Sequence, residues 1–437
     1  MDPVNILILG CIFTALIALT RPFLLLPLLI FGVFVEPMQY FPELVPYRPS
    51  MLVGTVAVSA IFVRFVLIKE KMPKQSKQVK VTAVFVLWLA LTCWLNRDTS
   101  WEAFISYSRS FAVYFICVYV VKTKKQLLGV TWTLLLFGLL VCVYGVYCLK
   151  ANIGWSAGGY KRIASFMNSP DTFGETSALL VPIAIAVLIS VQSNLVKAIV
   201  VGIIAFLTAG VVISFSRAAL FALMLGILLT PLKVIAPERR PFVIIALCIL
   251  LLGAFYFFPS GPKYRMWSRT ASIFRAKSAE DIDLGRVMTM RAGLRMVKEH
   301  PIIGVGLGGF KPEYKRLAEV DPNIVVVRGS RKTGTEVLSV HNVVIEAASM
   351  TGLVGLALYM WIIWLAFKDA RAAMKLFSET KSKIFENISA SIQVFMICGL
   401  LIGMFTPFLS FRLFWMLIPF SAVLYRLSFE ELSQRPE

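Results

Sequence analysis

Charge is scarce in this sequence, and negative charge scarcest. Only 16% of its 437 residues are charged, and 24 Asp and Glu stand against 44 Lys and Arg, a net charge of +20. A soluble domain averages about 25% charged residues, so a soluble globule is excluded. Histidine is nearly absent, with only His300 and His341. The seven cysteines all fall inside apolar runs, where a cysteine acts as a small hydrophobe. No CxxC pair or HExxH spacing occurs, so neither a disulfide framework nor a zinc site is expected, and no metal or other cofactor is predicted.

What the chain has instead is apolar length: 58% of its residues are hydrophobic and 13% aromatic. The runs match the ~20 residues that a helix needs to cross ~30 Å of hydrocarbon. Spans are expected near 4–20, 22–38, 51–68, 80–95, 104–121, 127–149, 174–191, 195–213, 216–232, 241–258, 342–367, 387–406 and 411–427. The predicted class is an all-α polytopic membrane protein with 12 or 13 transmembrane helices. The count depends on whether Pro22 and Pro27 make the first two runs one bent unit. The first run opens without a basic region and meets Arg21-Pro22, so no cleavable leader is expected.

Short loops rich in Lys and Arg stay in the cytoplasm. Lys69 to Lys80, Lys122 to Lys125, Lys233 to Arg240 and Lys368 to Lys383 form four such loops, each pair of neighbours separated by an even number of spans. Residues 150–173, the turn at Ser214 to Arg217 and the segment 259–340 then share the opposite face, the periplasm in a bacterium. The chain divides into N-terminal helices (1–150), central helices with outer-loop Arg motifs (151–258), a basic periplasmic loop (259–340) and C-terminal helices (341–437).

The 82-residue loop carries 15 Lys and Arg against 8 Asp and Glu. These charges oppose the topological bias, so an anionic ligand is the simplest reason to keep them, and nucleic acid is the less favoured anion. Leu284, Val287, Met288, Met290, Leu294 and Val297 recur at helical spacing, and His300-Pro301 ends the run. Arg286, Arg291 and Arg295 are expected to project over one broad sector of that helix. The glycine-dense Gly304 to Gly309 reads as a tight turn rather than a phosphate cradle. Asp281-Ile282-Asp283 has metal-binding DxD spacing but stands where acidic residues cap a helix. Trp267, Trp361 and Trp415 are expected to anchor the membrane interface.

A family resemblance joins these pieces. Gly285-Arg286 through His300-Pro301-Ile302-Ile303-Gly304-Val305-Gly306-Leu307-Gly308-Gly309-Phe310, then His341-Asn342 and Gly352-Leu353-Val354-Gly355-Leu356, resembles the signature of the O-antigen ligase and polymerase superfamily. Ser216-Arg217-Ala218-Ala219 and Arg162 to Pro170 are similar to further motifs of that family. One departure is that Ser349, Met350 and Thr351 stand where the family often has an acidic residue, with Glu346 earlier.

The resemblance implies a GT-C-like inner-membrane glycosyltransferase that works without a metal. Its donor would be an undecaprenyl-pyrophosphate-linked glycan and its acceptor lipid A core, among membrane lipids. A polymerase or a protein O-oligosaccharyltransferase of the same superfamily is the alternative, and a secondary transporter a distant one. Charge developing on the leaving diphosphate must be met by fixed cations, and arginine binds phosphate oxygens in a bidentate fork. Arg162, Arg217 and Arg286 are the candidates for it, with Arg291 and Arg265 behind them. His341 is the candidate base for the acceptor hydroxyl, because a neutral imidazole can take its proton. Asn342 beside it could orient a sugar or the imidazole. The competing reading of the His341-Asn342 pair is a helix cap.

Overall fold

The computed structural model describes residues 3–34, 49–67, 75–157, 160–167, 169–234, 279–325 and 339–434, with positions 69, 73, 238, 241, 242, 245 and 249. The protein is an all-α polytopic membrane protein. Its helices are α1 (Pro3–Thr20), α2 (Leu25–Phe34), α3 (Pro49–Leu67), α4 (Lys77–Leu95), α5 (Arg97–Val120), α6 (Lys124–Lys150), α7 (Pro170–Ser190), α8 (Asn194–Ser214), α9 (Arg217–Val234), α10 (Ala279–Glu299), α11 (Phe310–Val320), α12 (Val343–Glu379), α13 (Lys383–Gly403) and α14 (Arg412–Ser433). A two-stranded hairpin, β1 (Trp155–Ala157) with β2 (Tyr160–Arg162), joins α6 to α7.

Among the described residues, nine helices are long and apolar enough to cross a membrane: α4 to α9 and α12 to α14. Three shorter apolar helices lie at 8–20, 22–32 and 52–64. The first two expected spans are separate, because α1 stops at Thr20 and a 3-10 turn at Pro22–Leu24 intervenes before α2. The expected span at 241–258 lies largely outside the described residues, as do Arg265 and Trp267.

Two expectations are corrected. The fourth basic loop is mostly helix: α12 runs on to Glu379, with Asp369, Ala370, Ala373 and Phe377 buried and Arg371 exposed. Helical spacing of small and apolar residues carries the helix past the membrane edge. Trp415 is no interface anchor. It is fully buried, donates Nε1–H to the Leu409 carbonyl at 2.7 Å, and packs on Phe85, Phe111 and Tyr359. An indole can be buried when its N–H finds a partner. Trp361 is half exposed on α12.

The bundle has two distinct ends. At one, Lys124 meets Glu431 at 2.5 Å and Ser382 at 3.1 Å, and Arg426 donates to the carbonyls of Val118 and Val121. Two of the expected basic loops therefore gather there. At the other, the hairpin meets the end of α8, with Ile163 N–H donating to Ile213 O at 3.2 Å.

At that second end α12 is broken. Gly352 has φ +71° and ψ 177°, a conformation open to glycine alone. The turn after α10 docks into the break. Val305 and Gly306 donate to the carbonyls of Ser349 and Met350 at 2.9 and 3.0 Å, Leu353 donates to Pro301 O at 2.7 Å, and Trp88 Nε1 donates to Thr351 O at 2.9 Å. Backbone groups freed in a membrane helix must find partners nearby, and here four do. A Cβ on Gly352 would lie 1.9 Å from Ile302 O, so the approach requires glycine. The glycine-dense turn is thus a docking element, with the N–H groups of Val305 and Gly306 spent on α12.

Candidate functional site

The hairpin, the α8–α9 turn, the start of α7, α10 and the α13–α14 loop place the polar residues of the second end. Arg162, at the end of β2, donates from Nε to Ser214 O at 3.0 Å and from Nη2 to Asp171 Oδ1 at 2.6 Å. Ser214 ends α8, and Phe215 takes a left-handed conformation (φ 55°) so that Ser216 and Arg217 can start α9. The structure therefore brings Arg162 to the turn that carries Arg217. Ser169 caps α7, its Oγ accepting from Thr172 N–H at 3.1 Å, with Pro170 as first helical residue.

One turn beyond Asp171 on the same helix face stands Glu175. It is 2% exposed, and its Oε1 has no hydrogen-bond partner among the described residues. Asp171, Arg162 and Arg286 all lie within electrostatic reach of it, and Thr406 hydrogen-bonds to its carboxyl. Arg286, from the separate helix α10, is thereby drawn into the same cluster as Arg162. Sequence reasoning missed Glu175, although a lone carboxylate in a membrane span is itself a signal of function.

The helix α10 does not present its arginines on one sector. Its buried face is Gly285, Met288, Thr289, Ala292, Gly293 and Met296, packed on α12 where Gly293 meets Ile345. Arg286 flanks that face and is half-buried, whereas Arg291 and Arg295 are exposed. At 100° per residue, five and nine positions turn the helix by about 140° and 180°, which puts them on its far side. Arg295 pairs there with Glu299 at 2.7 Å. Asp281 to Asp283 fall in the first turns of α10.

His341 is half-buried, with Nδ1 screened from solvent, immediately before α12. Asn342 caps that helix. Its Oδ1 accepts from Val344 and Ile345 N–H at 3.0 and 3.1 Å, and its Nδ2 faces Met404 Sδ at 3.9 Å. One turn on, buried Glu346 accepts from the N–H groups of Phe408 and Leu409 at 2.8 and 3.0 Å. The 404–411 loop thus links the two halves of the site: Met404 touches Asn342, Thr406 stands by Glu175, and Phe408 and Leu409 are held by Glu346.

One group outside the membrane could suggest a cation. Ligand atoms of Glu299, His300 and Glu313 lie within 4.8 Å of one another. Arg316 already occupies that position, with Nη2 2.6 Å from Glu299 and 2.5 Å from Glu313. Hydrogen bonding from Arg295, with Arg316 behind it, holds the Glu299 carboxyl below its usual range. This is an ion-pair network joining α10 to α11. His300 ends α10, its N–H bonded to Met296 O at 2.8 Å. A cavity of about 870 Å³ between α2, α3, α4 and α5 has aliphatic and aromatic walls and reaches the second end through Arg412. It supplies none of the cluster's polar groups.

The class defined by this fold is a polytopic helical membrane protein whose second end carries Arg162, Asp171, Glu175, Arg286, Asn342 and Glu346. Residues 202–360 match the family model described as O-antigen ligase. That stretch contains Arg217, Arg286, Arg291, His341, Asn342 and Glu346, while Arg162, Glu175 and Thr406 flank it in sequence. No curated protein matches the chain.

Proposed function

We propose that the protein is an inverting glycosyltransferase that needs no metal and moves O-antigen polysaccharide from undecaprenyl pyrophosphate to a hydroxyl of lipid A core, completing lipopolysaccharide. The site would face the periplasm from the bacterial inner membrane. The observation that carries this reading is that Arg162 and Arg286, from segments more than a hundred residues apart, both act electrostatically on buried Glu175, while Arg162 binds the turn that leads into Arg217.

The chemistry follows from the groups present. Arg217 and Arg286 grip the diphosphate and meet the charge that grows on it as the anomeric bond breaks. Arg162 has two of its nitrogens committed to Asp171 and Ser214, so it contributes charge and holds the turn beneath Arg217. His341 accepts the proton of the acceptor hydroxyl as that oxygen attacks the opposite side of the sugar carbon, a step worth roughly 10²- to 10⁴-fold. Asn342 fixes the backbone on which His341 stands. Arg291, on the exposed side of α10, would serve only a ligand that reaches outside the pocket.

The test is purified protein with a lipid-linked glycan in EDTA, offered lipid A core, a second lipid-linked repeat or a serine-bearing protein in separate reactions. Transfer to lipid A core supports the proposal. Transfer only to a lipid-linked repeat would make the protein a polymerase, and transfer only to protein an O-oligosaccharyltransferase.

A further inference from the structure

We infer that Glu175 is a specificity-determining residue of the donor pocket, accepting a hydrogen bond from the sugar attached directly to the diphosphate. This rests on the donor reading above.

Burying a carboxyl group costs free energy unless it is hydrogen-bonded, and a buried polar atom without a partner calls for a physical cause. Glu175 is buried, and its Oε1 is unbonded among the described residues. The position is held firmly. The α7 cap at Ser169 fixes the helix start, and Gly174 lies so close to Ser214 that a Cβ there would stand 2.2 Å from its Oγ. A carboxylate serving only to balance Arg162 would bond to it, but Asp171 already does so at 2.6 Å.

The missing partner must bring an O–H or N–H. A diphosphate diester offers oxygen acceptors only, so it brings no donor to Oε1 of an ionised Glu175. The sugar a few bonds away can, through a hydroxyl or an acetamido N–H. Thr406, beside Glu175 on the loop that also contacts Asn342, places this contact between the arginines and the His341 side. Glu175 thus reads the first sugar while Arg217 and Arg286 hold the diphosphate.

The test is calorimetric titration of the purified full-length protein in detergent with two probes. One is a short-chain polyprenyl diphosphate, and the other is the same lipid carrying one 2-acetamido-hexose. Wild type should bind the sugar-bearing probe about tenfold more tightly, the weight of one hydrogen bond to a charged group. Glu175→Met, which keeps the volume in an apolar form, should bind the two probes alike. Glu175→Gln should recover part of the gain.

The assignment is overturned if Glu175→Met keeps the sugar-dependent gain, if it weakens both probes equally, or if wild type binds both probes alike. If wild type binds neither probe, the arginine reading of the donor fails and this inference falls with it. Wild-type binding of the plain diphosphate therefore separates the two failures.

Discussion

His341 and Arg286 carry different burdens, and kinetics can separate them. Replacing Arg286 by Ala should raise the donor KM by tenfold or more with a smaller change in acceptor KM, because in the proposed reaction the guanidinium meets the diphosphate. Asn342→Ala should cost about 1 kcal/mol of stability, read as a lower Tm, since two backbone N–H groups lose their cap. Glu299 gives a pH prediction. Its carboxyl is held below the usual range by Arg295 and Arg316, so its contribution is complete above the ordinary Glu value of about 4.3. It is lost as pH falls through the lower, folded value. The α10–α11 unit should become more protease-sensitive below about pH 4, by a modest amount because the pair is exposed. An Arg316→Ala variant should show a smaller change over the same range.

At the scale of elements, the break in α12 is the feature that shapes the site. Gly352→Ala would force a side chain into a glycine-only conformation and against Ile302 O. A loss of roughly 3 kcal/mol or more is expected, seen as a drop in Tm or in the yield of folded protein. Most spans were legible because a run of apolar residues has the same meaning in sequence and in lipid. The Gly304 to Gly309 turn was legible as a turn, but its dock was not, since nothing local in sequence ties Val305 to Ser349. The arginine sector on α10 was misread because five- and nine-residue steps rotate far around a helix. Trp415 was misread because burial depends on whether Leu409 O is at hand. Glu175 carries no motif; its meaning comes from Arg286 arriving from another segment.

At the scale of the molecule, one bundle end carries the Lys124 contacts, and the other carries the hairpin, α10, α11 and the broken helix. Cysteines introduced at exposed Lys311 and Lys381 should react with an impermeant maleimide from opposite sides of the membrane, Lys311 from the periplasm. The division into ends was legible in the spacing of basic loops, because each return crossing restores the side. The link from Arg162 to the Ser214 turn was legible only as membership of one face.

The most direct measurement is the rate of glycan transfer from a lipid diphosphate donor to lipid A core by purified protein in EDTA, wild type beside His341→Ala. Transfer by wild type and a fall of at least a hundredfold in a folded His341→Ala protein are the predicted results. Equal rates for the two proteins, or no transfer by wild type, would contradict the account.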